Sequence, residues 1–445
     1  MGSVDKTVQY VGRTELRSAA RGLACAAAVL GAAISLPATP LDSEKYWAQW
    51  RGPHSTGVSK VANPPVEWSE TKNVRWKVPI AGRGSGTPVV WGDRVFVTTA
   101  IPANGEVRAV AGVTNKFVVI ALDRKTGKTV WEHVAREEAP HEPGHPENGT
   151  FASPSAVTDG VHVIASFESR GLYAYDMAGK PVWQKDLGDK RMRNTFGEGS
   201  TPALHGDTLV TVWDHQGQSF IAALDKRTGE EKWRQNRTEI DTWATPLVVE
   251  VGGKAQVITG AMNKITSYDL ATGAVVWHTA GLTMNAIPSP VFENGTAILM
   301  SGFRGNSLKA IKLAEAKGDI TGTPAIQWTL ERDTPYVPSP LLYDGILYFL
   351  KSNNGILSVF DATTGQPHYQ LQRLDAPEVF ASPVGAAGRV YITSRDGKTT
   401  VLKHGKTFEV LGINTLSDGF DASPALVDNE MFMRGYKYLY CLASN

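Results

Sequence analysis

The hydrophobic pattern of the chain repeats every 41 to 66 residues, and each copy predicts four short β-strands. A copy begins with Ser or Thr, then Pro and apolar residues, and a Gly, Asp or Asn turn leads into a second β-rich strand. A third strand ends in Asp, a Gly-containing turn follows, and the fourth strand carries an aromatic residue. The eight copies begin at Thr87-Pro88, Ser153-Pro154, Thr201-Pro202, Thr245-Pro246, Ser289-Pro290, Ser339-Pro340, Ser382-Pro383 and Ser423-Pro424. The pattern therefore predicts an all-β chain with one four-stranded antiparallel sheet per copy.

Eight such sheets, each about one propeller blade in length, predict an eight-bladed β-propeller. The turn of each copy is read as architectural: in the first copy Asp123 can accept backbone N–H groups and Gly127 can supply a positive φ. Trp131, on the fourth strand, is large and flat enough to fill the wedge between neighbouring blades. We therefore do not interpret the repeated aspartates as catalytic carboxylates.

The two ends of the repeat region predict how the ring closes. The eighth copy ends at Tyr438-Leu439-Tyr440-Cys441-Leu442 and has no final aromatic strand. A spare strand lies before the first copy, where Trp76 precedes Pro88 by 12 residues, as Trp328 precedes Pro340. We expect this N-terminal strand to complete the last blade, which removes exposed sheet edges.

The first 40 residues have the pattern of a signal peptide. Four basic residues precede an apolar run from Leu23 to Leu36, and Pro37-Ala38-Thr39-Pro40 follows. Such a run is short for a membrane span, although an uncleaved anchor is the alternative. Cys25 does not follow the apolar run as a lipidated cysteine would. We therefore expect export to the periplasm or the extracellular space, with no membrane span in the mature chain.

Residues 41–73 are predicted to form an extension that docks on the propeller, and residues 74–445 the propeller itself. The extension contains Tyr46, Trp47 and Trp50, and aromatic side chains are costly to leave in water. Contact of these aromatic residues with a partner is the alternative.

Composition narrows the classes of function. The charges almost cancel, at +1, so no net field attracts nucleic acid, and the 42% hydrophobic content is that of a globular protein. After cleavage of the leader only Cys441 remains, which excludes an internal disulfide and cysteine-based metal clusters. We expect a monomer.

The copies that run Ala-Leu-Asp-x-x-Thr-Gly-x-x-x-Trp, at Ala121–Trp131 and Ala223–Trp233, resemble the pyrroloquinoline quinone (PQQ) repeat. The resemblance covers residues 74–445. It implies the eight-bladed propeller of the PQQ-like family, which includes quinoprotein dehydrogenases and the propeller lipoprotein of the outer-membrane β-barrel assembly machinery. It implies a fold and not one function, since a single fold hosts unrelated activities.

Catalytic members of that family are similar in having two adjacent bridged cysteines, carboxylate and amide ligands for calcium, a catalytic Asp and a Trp under the quinone. This sequence has no adjacent cysteines, and none of its residues match the calcium ligands or the base. No catalytic or metal-binding residue is therefore assigned. We expect no cofactor, and PQQ with calcium is the alternative.

The loops that precede the copies should meet at one mouth of the central channel, where polar and aromatic groups could bind a ligand. Loops are polar in any propeller, and Arg193 with Glu198 could equally form a surface ion pair. Phe151 and Phe380 are the aromatic neighbours of these candidates. The candidates are Arg83, Glu147, Asn148, Arg193, Asn194, Glu198, Asp241, Trp243, Asn285, Tyr336, Glu378, Asp418 and Asp421.

The segment from His141 to Asn148 contains two His and two Glu, which suggests a metal site. Pro143, Gly144 and Pro146 oppose the helix that would place two His on one face, so a polar rim loop is favoured.

These observations predict an exported, non-enzymatic propeller that acts as a binding or scaffolding module. Its partner would be a protein, a small molecule or a saccharide at the mouth. The alternatives are a PQQ-dependent oxidoreductase with an atypical site and a carbohydrate- or peptide-binding propeller. No Walker A loop, Gly-x-Ser-x-Gly elbow or His-Glu-x-x-His motif is present.

Overall fold

Each copy of the repeat forms one antiparallel sheet, and eight of these blades make up the propeller. The structure is a computed structural model that describes residues 43–105, 112–145 and 147–444. The predicted signal peptide, residues 1–40, lies outside the described residues. The prediction of an all-β, eight-bladed propeller is confirmed.

Within a blade, the strands follow one another from the channel outward. Blade 1 contains Val89–Trp91, Arg94–Pro102, Asn115–Asp123 and Thr129–Glu138; blade 2 contains Val157–Thr158, His162–Ser166, Leu172–Asp176 and Pro181–Lys185. Blade 3 contains Ala203–His205, Thr208–Trp213, Phe220–Asp225 and Glu231–Asn236; blade 4 contains Leu247–Val251, Lys254–Thr259, Lys264–Asp269 and Val275–Ala280.

The second half of the ring has the same plan. Blade 5 contains Val291–Glu293, Thr296–Ser301, Ser307–Lys312 and Ile326–Leu330; blade 6 contains Leu341–Tyr343, Ile346–Leu350, Ile356–Asp361 and Pro367–Arg373. Blade 7 contains Val384–Ala386, Arg389–Thr393, Lys398–Lys403 and Val410–Thr415; blade 8 contains Ala425–Val427, Glu430–Arg434, Tyr438–Ala443 and the N-terminal strand Val74–Pro79.

A few short elements lie outside this plan. Val58–Ser59 adds to the inner edge of blade 7 and Gly318–Asp319 to the outer edge of blade 4. The helical segments of the described residues are single 3₁₀ turns at Glu168–Arg170, Arg193–Thr195 and Leu313–Glu315. None of these turns has the length or the apolar character that crossing a membrane requires.

The Ser or Thr that opens each copy takes part in a belt of hydrogen bonds around the channel. Its backbone N–H donates to the hydroxyl of the corresponding residue in the next blade, at 2.8 to 3.2 Å. A hydroxyl is needed because it accepts this bond from a buried amide that no strand partner satisfies. The belt runs through Thr87, Ser155, Thr201, Thr245, Ser289, Ser339, Ser382 and Ser423.

The belt corrects the alignment of the second copy. The sequence pattern placed Ser153-Pro154 at the start of that copy, whereas Ser155 provides the belt hydroxyl and Val157 begins the inner strand. Ser153 bonds instead to the hydroxyl of Thr150 at 3.0 Å. The Ser-Pro pair was misleading because Ala156 occupies the position that Pro has in the other copies.

The belt is open at one junction. Thr87, in blade 1, would close it by accepting from blade 8, but among the described residues its Oγ1 has no hydrogen-bond partner. At this junction the indole N–H of Trp76, on the N-terminal strand of blade 8, donates to the carbonyl of Arg124 in blade 1 at 2.9 Å.

Five tryptophans join neighbouring blades at the outer strands. Each indole N–H donates to the backbone carbonyl that follows the turn Asp of the next blade, at 2.8 to 3.2 Å. The turn Gly lies under the ring; a Cβ on Gly127 would come within 2.8 Å of Trp76, so no larger residue fits there. The predicted role of these side chains is confirmed for Trp76, Trp131, Trp183, Trp233 and Trp328.

Three blades fill the wedge by other means. The outer strand of blade 6 has Tyr369 in place of a tryptophan, and its ring lies 5.8 Å from that of Phe408, centroid to centroid. Trp277 of blade 4 is fully buried, and its indole N–H donates to Gln256 within the same blade, because blade 5 lacks the Asp and Gly turn. The outer strand of blade 7 has no tryptophan, and Trp68 from the N-terminal segment lies against Tyr391, with ring centroids 6.3 Å apart. The backbone N–H of Trp68 donates to Asn414 at 2.9 Å.

The prediction that an N-terminal strand completes the last blade is confirmed. Val74–Pro79 pairs antiparallel with Tyr438–Ala443, and Trp76 lies opposite Cys441. Glu430, buried in blade 8, forms ion pairs with Arg75 of this strand and with Arg124 of blade 1. The two ends of the chain are thus joined by backbone bonds, by Trp76 and by buried charge.

We expect Trp76→Ala and Trp233→Ala to destabilise the protein equally, each by roughly 3–5 kcal/mol, because each leaves a cavity at a blade junction. Trp243→Ala is the matched control, since this ring lines the channel cavity and does not lie at an outer blade junction. Its cost should be about 1 kcal/mol, the worth of one hydrogen bond. Urea unfolding measures all three, and a stability loss for Trp76→Ala as small as that for Trp243→Ala would contradict closure by this strand.

We expect Ser339→Ala to cost roughly 1–3 kcal/mol, because it leaves the buried N–H of Ser289 without an acceptor. Thr87→Val should cost almost nothing, since the Thr87 hydroxyl accepts no bond in the described structure. Thermal melting of both variants compares them directly. Equal losses would mean that the belt does not contribute to stability.

Candidate functional site

The channel encloses a cavity of ≈ 400 Å³ between the belt and the mouth loops. Belt hydroxyls form its inner wall, and side chains from the loops between blades form its outer part. The belt residues that line it are Thr201, Thr245, Ser289, Ser339 and Ser382.

Trp50 from the N-terminal segment closes the inner end of this cavity. Its ring lines the cavity, and its indole N–H donates to the belt hydroxyl of Ser289 at 3.1 Å. The preceding Trp47 is buried and exchanges two backbone hydrogen bonds with Val90 of blade 1. The cavity is therefore a pocket with a floor.

Arg51, the next residue in the chain, fixes the position of Trp50 by bonding to two neighbouring blades. Its buried guanidinium donates to the carbonyl oxygens of Pro340 and Pro383, both at 2.7 Å, which links blades 6 and 7. Gly57, with φ +87°, lies against the guanidinium, and a Cβ there would come within 2.2 Å of it. The sequence placed aromatic residues in this segment but gave no sign that they would enter the channel.

The loop between blades 1 and 2 covers part of the outer opening. Asn148, from this loop, accepts a hydrogen bond at 2.8 Å from Arg395 of blade 7. The ring of His145 lies beside Phe196, with centroids 5.3 Å apart, and its Nδ1 accepts from two backbone N–H groups of its own loop. The loop thus contacts two distant parts of the rim.

His141 forms hydrogen bonds within this rim. Its Nε2 lies 2.5 Å from the carbonyl oxygen of Lys190, and its Nδ1 lies 2.7 Å from the guanidinium of Arg170. No cluster of three or more His, Cys, Asp or Glu suited to a metal ion occurs among residues 43–105, 112–145 and 147–444.

The structure brings seven of the thirteen predicted residues together around the cavity. The lining residues from that set are Asn148, Glu198, Trp243, Asn285, Tyr336, Glu378 and Asp421. The other six, which do not line it, are Arg83, Glu147, Arg193, Asn194, Asp241 and Asp418.

Those six lie nearby but have other contacts. Arg193 pairs with Asp241 at 3.1 Å and not with Glu198, which corrects that alternative. The Arg83 guanidinium lies 4.0 Å above the ring of Tyr436. Asp418 accepts backbone N–H bonds from Gly419, Lys437 and Tyr438, while Glu147 and Asn194 are exposed.

On the side of blades 7 and 8, the carboxylates of the cavity are neutralised by Arg395. Its Nε lies 2.7 Å from Asp421, and another of its nitrogens lies 3.2 Å from Glu378. The guanidinium also lies 4.1 Å above the ring of Phe380. This wall therefore contains a cation held by two carboxylates and an aromatic face.

On the side of blades 2 and 3, the sequence did not indicate the main charged residues. Glu168 lines the cavity and forms a buried ion pair with Lys190, at 2.8 Å. The ammonium also lies 4.5 Å above the ring of Trp213. Glu168 has φ +49°, a strained conformation for a residue with a side chain, and such strain tends to occur at functional sites.

No sequence motif indicated that Glu168 and Lys190 would form an ion pair. Glu168 lies between the second and third strands of blade 2, in a position that no repeat motif marks, and Lys190 follows the last strand of the same blade. Only the fold brings Glu168 to the cavity and Lys190 to Glu168.

Glu198 lines the cavity and has a strongly shifted pKa. Its Oε2 accepts the backbone N–H of Ser169 at 3.0 Å. Burial, and then the nearby Glu168 carboxylate, raise the pKa of Glu198 to about 7, although the Lys190 ammonium opposes this shift. Near neutral pH the carboxyl therefore exists in both protonation states.

Trp243 connects Glu198 to the next part of the wall. Its indole N–H donates to the carbonyl of Gly197 at 2.8 Å, and a Cβ on Gly199 would lie 3.3 Å from the ring. Its backbone N–H donates to Ala286 at 3.0 Å, next to Asn285. Glu198, Trp243 and Asn285 thus form one continuous stretch of wall from blade 2 to blade 5.

Comparison with known families identifies the chain. Residues 62–139 and 115–370 match the family described as outer membrane protein assembly factor BamB. These matches cover more than half of the chain, and the chain belongs to this family.

Two curated relatives have enzymatic names. Quinoprotein ethanol dehydrogenase of Pseudomonas putida is 26% identical over 155 residues, which is 32% of this chain and 24% of that protein. Methanol dehydrogenase (cytochrome c) subunit 1 of Methylobacterium organophilum is 28% identical over 153 residues, 29% of this chain and 23% of that protein. The chain spans about a quarter of the length of these relatives.

Solved structures are similar in fold over most of the chain. BamB from Moraxella catarrhalis has a TM-score of 0.57 and 13% identity, covering 82% of this chain and 98% of that one. Quinohemoprotein alcohol dehydrogenase from Comamonas testosteroni has a TM-score of 0.62 and 13% identity, covering 90% and 80%. At these identities the similarity shows the fold alone.

We expect Glu198→Gln to stabilise the protein at pH 8 and to have no effect near pH 4.5. Because the folded-state pKa is raised, the folded state holds this proton more tightly, so stability falls as pH rises from about 4.5 to about 7. Glutamine is neutral at every pH, and the gain at pH 8 should be up to roughly 3 kcal/mol.

Urea unfolding at pH 4.5 and pH 8 checks this expectation. Glu250→Gln is the matched control, since this carboxylate is exposed on blade 4 and its surface pair with His205 should contribute less than about 1 kcal/mol at either pH. A stability difference for Glu198→Gln that is the same at both pH values would contradict a raised pKa.

Proposed function

We propose that this member of the BamB family is an exported, non-enzymatic propeller that binds a ligand or a partner at the mouth of its channel. The cavity of ≈ 400 Å³ carries the proposal, because it has a floor, an aromatic and polar lining and an outer mouth, as binding pockets do. The leader-like pattern of residues 1–40 supports export. The family description supports a protein partner, and a small molecule or a saccharide also suits the cavity.

The charges of the cavity do not fit a quinone site. PQQ is a tricarboxylate, while the five carboxyl groups that line the cavity outnumber the three cations that line it or pair with those carboxylates, Arg170, Lys190 and Arg395. The carboxylates Glu378 and Asp421, which could have ligated calcium, are paired with Arg395. A polyanionic cofactor would meet like charge here, which is unfavourable in a partly desolvated site.

The cysteine content does not fit a PQQ site either. The sequence has no adjacent cysteines, and Cys441 is buried in blade 8, away from the cavity lining. Burial raises the pKa of its thiol to about 12, so it is not a reactive thiolate. We therefore derive no reaction step through PQQ and propose that the chain acts as a binding or scaffolding module, as a monomer.

A quinoprotein oxidoreductase is the second candidate, and the 26–28% identity to two quinoprotein dehydrogenases over about a third of the chain favours it. We expect calorimetry with PQQ and Ca²⁺ to show no tight binding, and we expect no dye reduction with alcohols or aldoses. The physical reason is the excess of carboxylates around the cavity.

The decisive contrary outcome is stoichiometric uptake of PQQ together with substrate-dependent dye reduction. If substitution of Glu198, Asp241, Glu378, Asp418 or Asp421 abolished that turnover, the oxidoreductase would replace the binding module.

A further inference from the structure

We propose that the cavity binds a small organic cation, an ammonium or a guanidinium group, at a subsite formed by Glu198, Trp243 and Asn285. This inference rests on the proposed function, because it names the ligand class of the same cavity.

The three side chains are held next to one another by the backbone. Trp243 is bonded to Gly197 and lies against Gly199, the two neighbours of Glu198 in the chain. The backbone N–H of Trp243 donates to the residue after Asn285, at 3.0 Å. A carboxyl group, an indole face and a side-chain amide therefore line one region of the wall.

Asn285 has an unused hydrogen-bond acceptor at this place. The residue is only 2% exposed and lines the cavity, and its Oδ1 has no partner among the described residues. A buried polar atom without a partner costs roughly 1–3 kcal/mol, so such atoms are usually satisfied. A ligand N–H donor would satisfy this one.

Glu198 is a carboxyl group of the cavity that lacks a cationic partner. In the described part of the chain no Lys or Arg nitrogen lies within 4.0 Å of its oxygens, whereas Glu168 has Lys190 and Asp421 has Arg395. The hydrogen bonds that Glu198 accepts come from Ser169, a neutral residue, so they do not supply a positive charge. A bound cation would supply the missing charge in a partly buried site, where the interaction is stronger than in water.

The wall near blades 7 and 8 contains a similar arrangement in which a cation of the chain is already bound. There Arg395 lies over the ring of Phe380 and between the carboxylates of Asp421 and Glu378. Glu198 and Trp243 offer the same combination of carboxylate and aromatic face, without a cation from the chain. Aromatic faces and carboxylates together select ammonium and guanidinium groups over neutral ligands.

The test is calorimetry on the full chain with agmatine and spermidine at pH 8 and low salt, where screening is weakest. We expect both amines to bind with one site per chain. Glu198→Gln should weaken binding at least about tenfold and Trp243→Leu several-fold, in line with the loss of one charge and of one cation–aromatic contact. Glu250→Gln, exposed and remote from the cavity lining, should change affinity less than about twofold.

The pH dependence provides a second readout that a purely structural role would not change. Since the pKa of Glu198 is about 7, amine binding should weaken between pH 8 and pH 6 in the parent and stay flatter in Glu198→Gln. The Gln variant isolates this group from the other titratable groups on this side of the cavity. Those groups are Glu142, Glu168, Arg170, His141, His145 and Lys190.

The outcomes separate this inference from the proposed function. Binding of a neutral sugar such as glucose without binding of either amine would overturn the cation subsite and leave the binding module intact. Amine binding that is unchanged in both Glu198→Gln and Trp243→Leu would place the amine elsewhere and overturn the subsite. No heat with either amine at millimolar concentration would also overturn it, whereas the binding module itself falls only if PQQ turnover is found.

Discussion

The contact between one blade and the next is the interaction on which the rest of this structure depends. A blade is a sheet with two apolar faces, and it is stable only when both faces are covered by neighbours in a closed ring. In this chain two sets of bonds cross the junctions: hydroxyl to amide near the channel, and indole to carbonyl near the rim. The first requires a Ser or Thr at the start of each blade, and the second requires Trp with a turn that leaves room for its ring. These two requirements explain why the same motif recurs in the sequence of each blade.

The N-terminal segment compensates where the repeat fails. Blade 8 has no outer strand of its own, and Val74–Pro79 supplies one; blade 7 has no outer tryptophan, and Trp68 lies near its place. The belt is open at Thr87, where blade 1 meets blade 8, and the buried charges of Glu430, Arg75 and Arg124 join the same two blades. One segment of chain therefore closes the ring and, through Trp50, the inner end of the channel.

The closed channel gives the cavity an asymmetric electrostatic character. Toward blades 7 and 8 the carboxylates are neutralised by Arg395, and toward blade 2 Glu168 is neutralised by Lys190. Burial and the neighbouring Glu168 carboxylate both disfavour the ionised form of Glu198. Such an arrangement lowers stability at neutral pH, and proteins retain groups of this kind where they serve binding or chemistry. The carboxyl groups at the cavity still outnumber these cations, which argues for a cationic ligand and against a polyanionic quinone.

The sequence by itself determined the fold class, the number of blades and the strand that closes the ring. These follow from local requirements, such as a hydroxyl before Pro or a Gly beneath Trp, which each copy repeats in its own residues. The predicted start of blade 2 was wrong because Ser153-Pro154 matches the Ser-Pro motif two residues before the true position. The hydrogen bonds of the folded chain show that Ser155 provides the hydroxyl. The composition of the cavity depended on tertiary structure. Loop position predicted that Glu198, Trp243 and Asn285 would lie at the mouth. It did not predict that Glu168 and Trp50 would line the cavity, or that Lys190 would pair with Glu168 beside it. Those residues come from unrelated positions in the chain, and no local pattern encodes a contact that exists only once the ring has closed.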